Sequence, residues 1–240
     1  MEKHFDQHIS RRFNEELEAL RSHVMKMAGT TEEMLSEAIA ALVEGDSERA
    51  EAVIVTDDEV NLMEKRIDEE AMQILARRQP TASDLRLVMA IVKTVSDLER
   101  VGDEAEKIAR QAIKLAETDR PRNNYYELES MAGHVRSMLR EALDGFVRMV
   151  PDVAISLFRA DKKVDDEYEA ILRQYYTYLA EEPRKTSRIL NAIWIARSLE
   201  RIGDHAKNIG EYIYYLVEGK DVRHIPADEK EQALLDDGST

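Results

Sequence analysis

The sequence has no cysteine, five prolines, nine glycines and a single tryptophan among its 240 residues. Without thiols there is no disulfide, no thiolate metal site and no cysteine nucleophile, a composition that suits a reducing compartment. So few turn formers cannot punctuate a sandwich or barrel of many short strands, and no segment sustains the two-residue alternation of a half-buried strand. Long apolar runs are also missing. Nothing approaches the roughly 20 apolar residues of a membrane span, and the opening MEKHFDQHIS lacks the apolar core of a secretion signal. Basic charge is scarce. The 34 Lys and Arg face 49 Asp and Glu, and the net charge of -15 repels nucleic-acid backbones and anionic lipid on average. The expectation is a cytoplasmic protein with no nucleic-acid partner and no direct membrane insertion. A P-loop, dinucleotide-binding glycines and a nucleophile–histidine constellation are absent too, so no catalytic residue is assigned.

What is abundant is helix former: Ala, Leu, Glu, Arg and Met, with apolar residues recurring every three or four positions. Phe13, Leu17, Leu20, Val24 and Met27 begin a stripe that continues in phase through Met34, Ala38 and Leu42, which predicts one helix over 8–44. Gly45 and Asp46 then supply a C-terminal glycine and an N-cap. A second stripe runs from Ala50 to Ile74 and stops before Pro80. A third begins at Thr81, whose spacing to Asp84 resembles a capping box, and reaches about Leu115. TDRPRNN, 118–124, is the best linker. Three more helices follow it, separated at Pro151 and Pro183. The fold class expected is all-α: two tandem, homologous three-helix bundles, 1–120 and 121–240, with a flexible acidic tail from about residue 220.

The duplication is legible as a repeated phrase, LERVGDEAEKI at 98–108 and LERIGDHAKNI at 199–209. Each copy holds two acids four residues apart, Glu99 with Asp103 and Glu200 with Asp204, on one face of a third helix. One such pair is expected by chance in an acidic chain; its recurrence at matched sites is not. Asp57 and Asp161 stand in the apolar registers of helices two and five, where an unpaired carboxylate is costly. Folding helices two and three about Pro80 brings partners to equal heights: Asp57 and Asp103 each lie 23 residues from it, Asn61 and Glu99 each 19. Helices five and six give Asp161 with Asp204 and Asp165 with Glu200 about one midpoint beside Pro183. Two mirror-related clusters of hard oxygen ligands result, suited to magnesium, calcium, manganese or iron. The plainer alternative is a set of carboxylates answered by Arg100, Arg201 and other cations. Gly102 and Gly203, between the acids, leave room for an ion or for a closely packed helix. His205 has Glu104 as its counterpart, which argues against a symmetric ligand role and predicts a surface position. No Glu-x-x-His occurs, against a ferritin-like di-iron enzyme. The tyrosines all lie in the second half, with Tyr125, Tyr126, Tyr175, Tyr176 and Tyr178 expected to gather at one end and Tyr212, Tyr214 and Tyr215 at the other.

The paired LER-hydrophobic-GD phrases, the upstream Asp57 and Asp161 and the closing EGKDVRH resemble the PhoU family of phosphate-signalling regulators, across roughly residues 5–224. The resemblance implies a commonly dimeric, cytoplasmic, non-enzymatic negative regulator of phosphate uptake and of the phosphate-starvation response. Its implied partners are a PstB-like ATPase of the phosphate transporter and a PhoR-like sensor histidine kinase. It also implies metal ions (iron, zinc, manganese or magnesium) at Asp57, Asn61, Glu99 and Asp103 and at Asp161, Asp165, Glu200 and Asp204. Asn61 departs from the family pattern by removing a carboxylate, so the second cluster, with all four acids, is expected to bind cations better. Two other classes fit the same residues: a metal-dependent enzyme or cation buffer, and a purely structural helical oligomer.

Overall fold

The computed structural model describes residues 11–117, 125–225 and 227–235. Six long helices account for most of them: α1 (Arg11–Glu44), α2 (Ser47–Arg78), α3 (Ala82–Ala116), α4 (Tyr126–Arg148), α5 (Val153–Glu181) and α6 (Thr186–Glu218), followed by the short α7 (Ala227–Leu235). No strand occurs among the described residues. The start expected at residue 8 and the linker 118–124 lie outside them.

The joints follow from local chemistry. Gly45 takes the left-handed conformation, φ 70°, and its N–H donates to the Ala41 carbonyl at 2.8 Å; the Asp46 carboxylate then accepts from Arg49 N at 3.0 Å and starts α2. At Pro80 the expected capping box does not form. Gln79 and Ala82 are both left-handed, and the first turn of α3 closes through the Thr81 carbonyl, which accepts from Asp84 N at 3.1 Å, with no side-chain cap. Pro183 opens a single 3-10 turn, Pro183–Lys185, before α6.

α1, α2 and α3 pack on one another, as do α4, α5 and α6, and α3 lies against α6 in the most extensive helix contact. Small residues permit that central position. Ala90, Gly102, Ala105, Ala109 and Ala112 on α3, with Ala192, Ala196, Gly203, Ala206 and Gly210 on α6, are buried, so neighbours approach these helices on more than one side. One hydrophobic cluster consequently runs through all six helices, from Phe13 and Leu20 to Ile213 and Leu216.

The tail, as far as it is described, departs from expectation; residues 236–240 lie outside the described residues. Instead of fraying, α7 packs on α5, and Leu234 joins Ala154, Tyr214 and Val222 in a second small core. Lys230, buried, is ion-paired to the buried Glu211, and Arg159 donates to Glu231 at 2.8 Å. A polar stretch therefore becomes ordered because its few apolar side chains and one lysine find complementary sites on α5 and α6.

Candidate functional site

α2 buries a single stripe: Ala50, Val53, Asp57, Val60, Ile67, Ala71 and Ile74. Asp57 is 8% exposed among these aliphatic residues. Its Oδ2 accepts from Asn61 Nδ2 at 3.0 Å, while its buried Oδ1 has no hydrogen-bond partner. The carboxylate can reach α3 because position 102 is glycine: a Cβ there would lie 3.2 Å from Asp57 Oδ1 and 3.3 Å from Val60. Asp57 thus sits level with the turn that carries Glu99 and Asp103, as the mirrored spacing about Pro80 requires.

Burial pushes Asp57 up from 3.8 to about 6, reinforced by the negative charge of Asp103, Glu106 and Glu99. Glu99 is raised as well, by burial first and then by Asp103 and Glu64; Glu64 is raised by burial, Asp68 and Asp103. The cations nearby stand at the rim. Arg110, about half exposed, holds Glu106 at 2.5 Å, while Arg100 and Lys107 only partly offset the repulsion felt by Glu99.

The second cluster repeats the frame and changes its centre. Asp161 is buried in the α5 stripe between Leu157 and Val164, and its Oδ1 would lie 3.9 Å from a Cβ at Gly203. Here the ammonium of Lys207 reaches inward and donates to Asp161 Oδ2 at 2.5 Å and to Asp204 Oδ1 at 2.6 Å. The two partners are displaced for different reasons. For Asp161 burial outweighs the lysine and lifts the carboxyl to about 6; for Lys207 the two carboxylates outweigh burial and hold the amine charged beyond its usual range. Lys207 is thus ion-paired to carboxylates of both helices. Asp165 and Glu200 are both raised, chiefly by burial, with Asp204 a repulsive neighbour of each.

These donor sets differ in what they can hold. Carboxylate and amide oxygens suit hard cations, and the first cluster carries the unanswered buried oxygen that such an ion would satisfy. Among the described residues no three acidic or imidazole groups already stand around one point at ligating distance, so the side chains of the first cluster would have to close around the ion. At the second cluster a positive charge is built in. The cluster expected to be the better cation site thus holds the ammonium of Lys207 between two of its four acids.

The PhoU domain model matches the chain twice, over residues 24–112 and 128–213, and each match contains one of these clusters. The chain belongs to the PhoU family. It is 53% identical over 218 residues to the phosphate-specific transport system accessory protein PhoU homolog of Pseudomonas aeruginosa, covering 91% of this chain and 90% of the relative. It is 49% identical over 230 residues to the phosphate-specific transport system accessory protein PhoU of Escherichia coli K12, covering 95% of each. The crystal structure of PhoU from Pseudomonas aeruginosa superposes with a TM-score of 0.84 at 51% identity, over 87% of this chain and 100% of that one. The phosphate transport system regulatory protein PhoU of Streptococcus pneumoniae gives 0.80 at 30% identity, over 87% and 98%.

Within this PhoU frame the structure places all eight sequence-derived residues on facing turns of α2 with α3 and of α5 with α6, and it adds others. Glu64, Asp68 and Glu106 enlarge the first cluster, and Lys207 completes the second. Glu64 is within reach of the register rule that finds Asp57, because 53, 57, 60, 64, 67, 71 and 74 form one unbroken stripe. Glu106 and Lys207 occupy equivalent positions, 101 residues apart, three residues after Asp103 and Asp204.

His205 is the clear correction. It is 7% exposed, not at the surface, and its Nδ1 lies 2.7 Å from Asp97 Oδ1, which also accepts from Asn208 at 3.2 Å. The cause is α3 against α6: the face of α6 that looks polar within its own repeat is covered by the other repeat. Glu104, 3% exposed, meets Arg201 at 3.0 Å in the same seam, and Lys93 lies over the rings of Tyr212 and Tyr215 at 5.5 and 5.6 Å. At the far end the rings of Tyr175 and Tyr178 meet at a tilt, centroids 6.1 Å apart, with Arg188 over Tyr125 at 5.5 Å.

Proposed function

We propose that this chain is a cytoplasmic, non-enzymatic negative regulator of phosphate uptake and of the phosphate-starvation response. It acts as a homodimeric adaptor between a PstB-like ATPase of the phosphate transporter and a PhoR-like sensor histidine kinase. The observation that carries this reading is similarity along nearly the whole chain to proteins named phosphate-specific transport system accessory protein PhoU. No described helix is long and apolar enough to cross a membrane, which fits a protein that meets membrane-bound partners from outside the bilayer.

The adaptor works by differential binding: helical surfaces that prefer one state of transporter or kinase shift that partner's equilibrium by the difference in affinity. The acidic face of α2 and α3 takes a hard cation through Asp57, Glu99 and Asp103, with Asn61, Glu64 and Glu106 around them. An ion there supplies the charge that these acids lack and fixes α2 against α3. Direct recognition of phosphate has little support. In the groove beside the second cluster, Arg201, Lys207, Arg223 and Lys230 are each paired with an acid of this chain.

The test is reconstitution of the purified chain with the PstB-like ATPase and with the kinase in membranes, at high and at low phosphate. Complexes that form at high phosphate and inhibit kinase autophosphorylation are expected; binding to neither partner overturns the adaptor reading.

A further inference from the structure

We propose that the second acidic cluster is closed by its own lysine, so that Lys207 Nζ holds the place a metal ion would take and only the α2–α3 copy answers to cations. The inference rests on the metal reading of the first cluster given above, and deepens it.

Three observations converge. The ammonium donates to carboxylates of both helices, Asp161 on α5 at 2.5 Å and Asp204 on α6 at 2.6 Å, which is the bridging role of a bound cation. The side chain is largely withdrawn from solvent, 18% exposed, so the bridge is not a surface pair diluted by water. The equivalent residue in the first repeat is Glu106, whose negative charge faces Asp57 and leaves the buried Oδ1 there without a donor. One position thus decides between a site that lacks a cation and one that carries it.

The consequence is an unequal pair of switches. A divalent ion entering the second cluster would have to displace a tethered ammonium and leave that charge buried beside it, so the lysine competes at very high effective concentration. Metal gain and loss should therefore change the stiffness of the α2–α3 hairpin, while α5 and α6 stay joined under all conditions.

The experiment uses the full chain, stripped with chelator and titrated with manganese(II) alone, with free ion counted by its electron paramagnetic resonance signal. Circular dichroism and thermal melting check the fold of every variant. Binding by the wild type is expected to weaken at least about tenfold in Asp57→Asn and in Glu106→Lys, which grafts the internal cation onto the first cluster, and to be unchanged in Asp204→Asn. Lys207→Gln is expected to add a second class of bound ion that Asp204→Asn then removes.

Wild-type binding that falls in Asp204→Asn, or a folded Lys207→Gln that gains nothing, overturns the proposal. Should Lys207→Gln fail to fold, the Glu106→Lys and Asp204→Asn results decide alone. If the wild type binds no manganese but Lys207→Gln does, the metal reading of the first cluster fails while closure by lysine stands; if neither binds, both fail.

Discussion

Asp57 gives the sharpest test of how the acidic face is built. In the metal-free chain its carboxyl is raised from 3.8 to about 6 because burial and Asp103 penalise the charge. A carboxylate with a raised folded value binds protons more tightly when folded, so stability falls as pH rises through the window from 3.8 to about 6 and stays low above it. That displacement corresponds to about 3 kcal/mol, which water reaching the flank of the cluster reduces to roughly 1–2 kcal/mol. Asp57→Asn keeps the shape and can still accept from Asn61, but carries no charge. In chelator-treated protein at about pH 7 it should be more stable than wild type by roughly 1–2 kcal/mol, or about 2–8 °C in Tm for a chain of this size. Near pH 4 the advantage should vanish. Urea unfolding by circular dichroism across that range measures both ends, and manganese(II) should narrow the gap by stabilising the wild type more than the variant. A variant less stable than wild type by a constant amount at every pH would refute the reasoning. It would mean that Asp57 is held by favourable contacts, not tolerated at a cost.

Other expectations separate packing from charge. A methyl group added at Gly29 would meet nothing within 4 Å, so Gly29→Ala should stabilise α1 by about 0.5–1 kcal/mol in the same unfolding assay. Gly210→Ala should cost about 1–3 kcal/mol, because its Cβ would lie 2.7 Å from Leu157 and 3.4 Å from the Ala154 backbone. Gln79, left-handed at φ 46°, predicts a gain of about 1 kcal/mol for Gln79→Gly, read as a raised Tm. Lys230→Met strands the buried Glu211, and hydrogen exchange should show α7 released while α5 and α6 keep their protection.

Much of this architecture is legible in the sequence because its signals are local or periodic. The six stripes, the Gly45–Asp46 joint and the mirrored acids depend on spacing within a helix or across one tight hairpin, where length alone sets the register. What escapes depends on contacts between distant segments. His205 looks exposed until α3 of the other repeat covers it, and Lys230 looks like a tail residue until Glu211 receives it. Thr81 and Asp84 match a capping pattern, yet the left-handed Gln79 and Ala82 set a turn that no pattern of residue types encodes. Lys207 escapes for another reason. Counting acids asks which ligands are present, whereas a site is defined equally by the charge already seated among them.

The seam between the repeats explains why the duplicated halves could not remain identical. By the offset of 101, Asp97 corresponds to Ser198 and Glu104 to His205. If the first repeat paired with a copy of itself in the α3–α6 manner, Asp97 would oppose Glu104, two buried acids, with Arg100 and Lys107 standing where Arg201 and Asn208 stand now. The second paired with itself would set Ser198 against His205 and gain no ion pair. Only the mixed arrangement brings an imidazole, His205, to Asp97. An imidazole opposite Asp97 in place of a second carboxylate removes one like-charge approach, so the charge pattern favours the pairing of unlike halves. Divergence at positions 104 and 205 thus fits each half to the other. Once the halves are distinct, the next equivalent pair, Glu106 and Lys207, is free to make their two acidic faces different in kind.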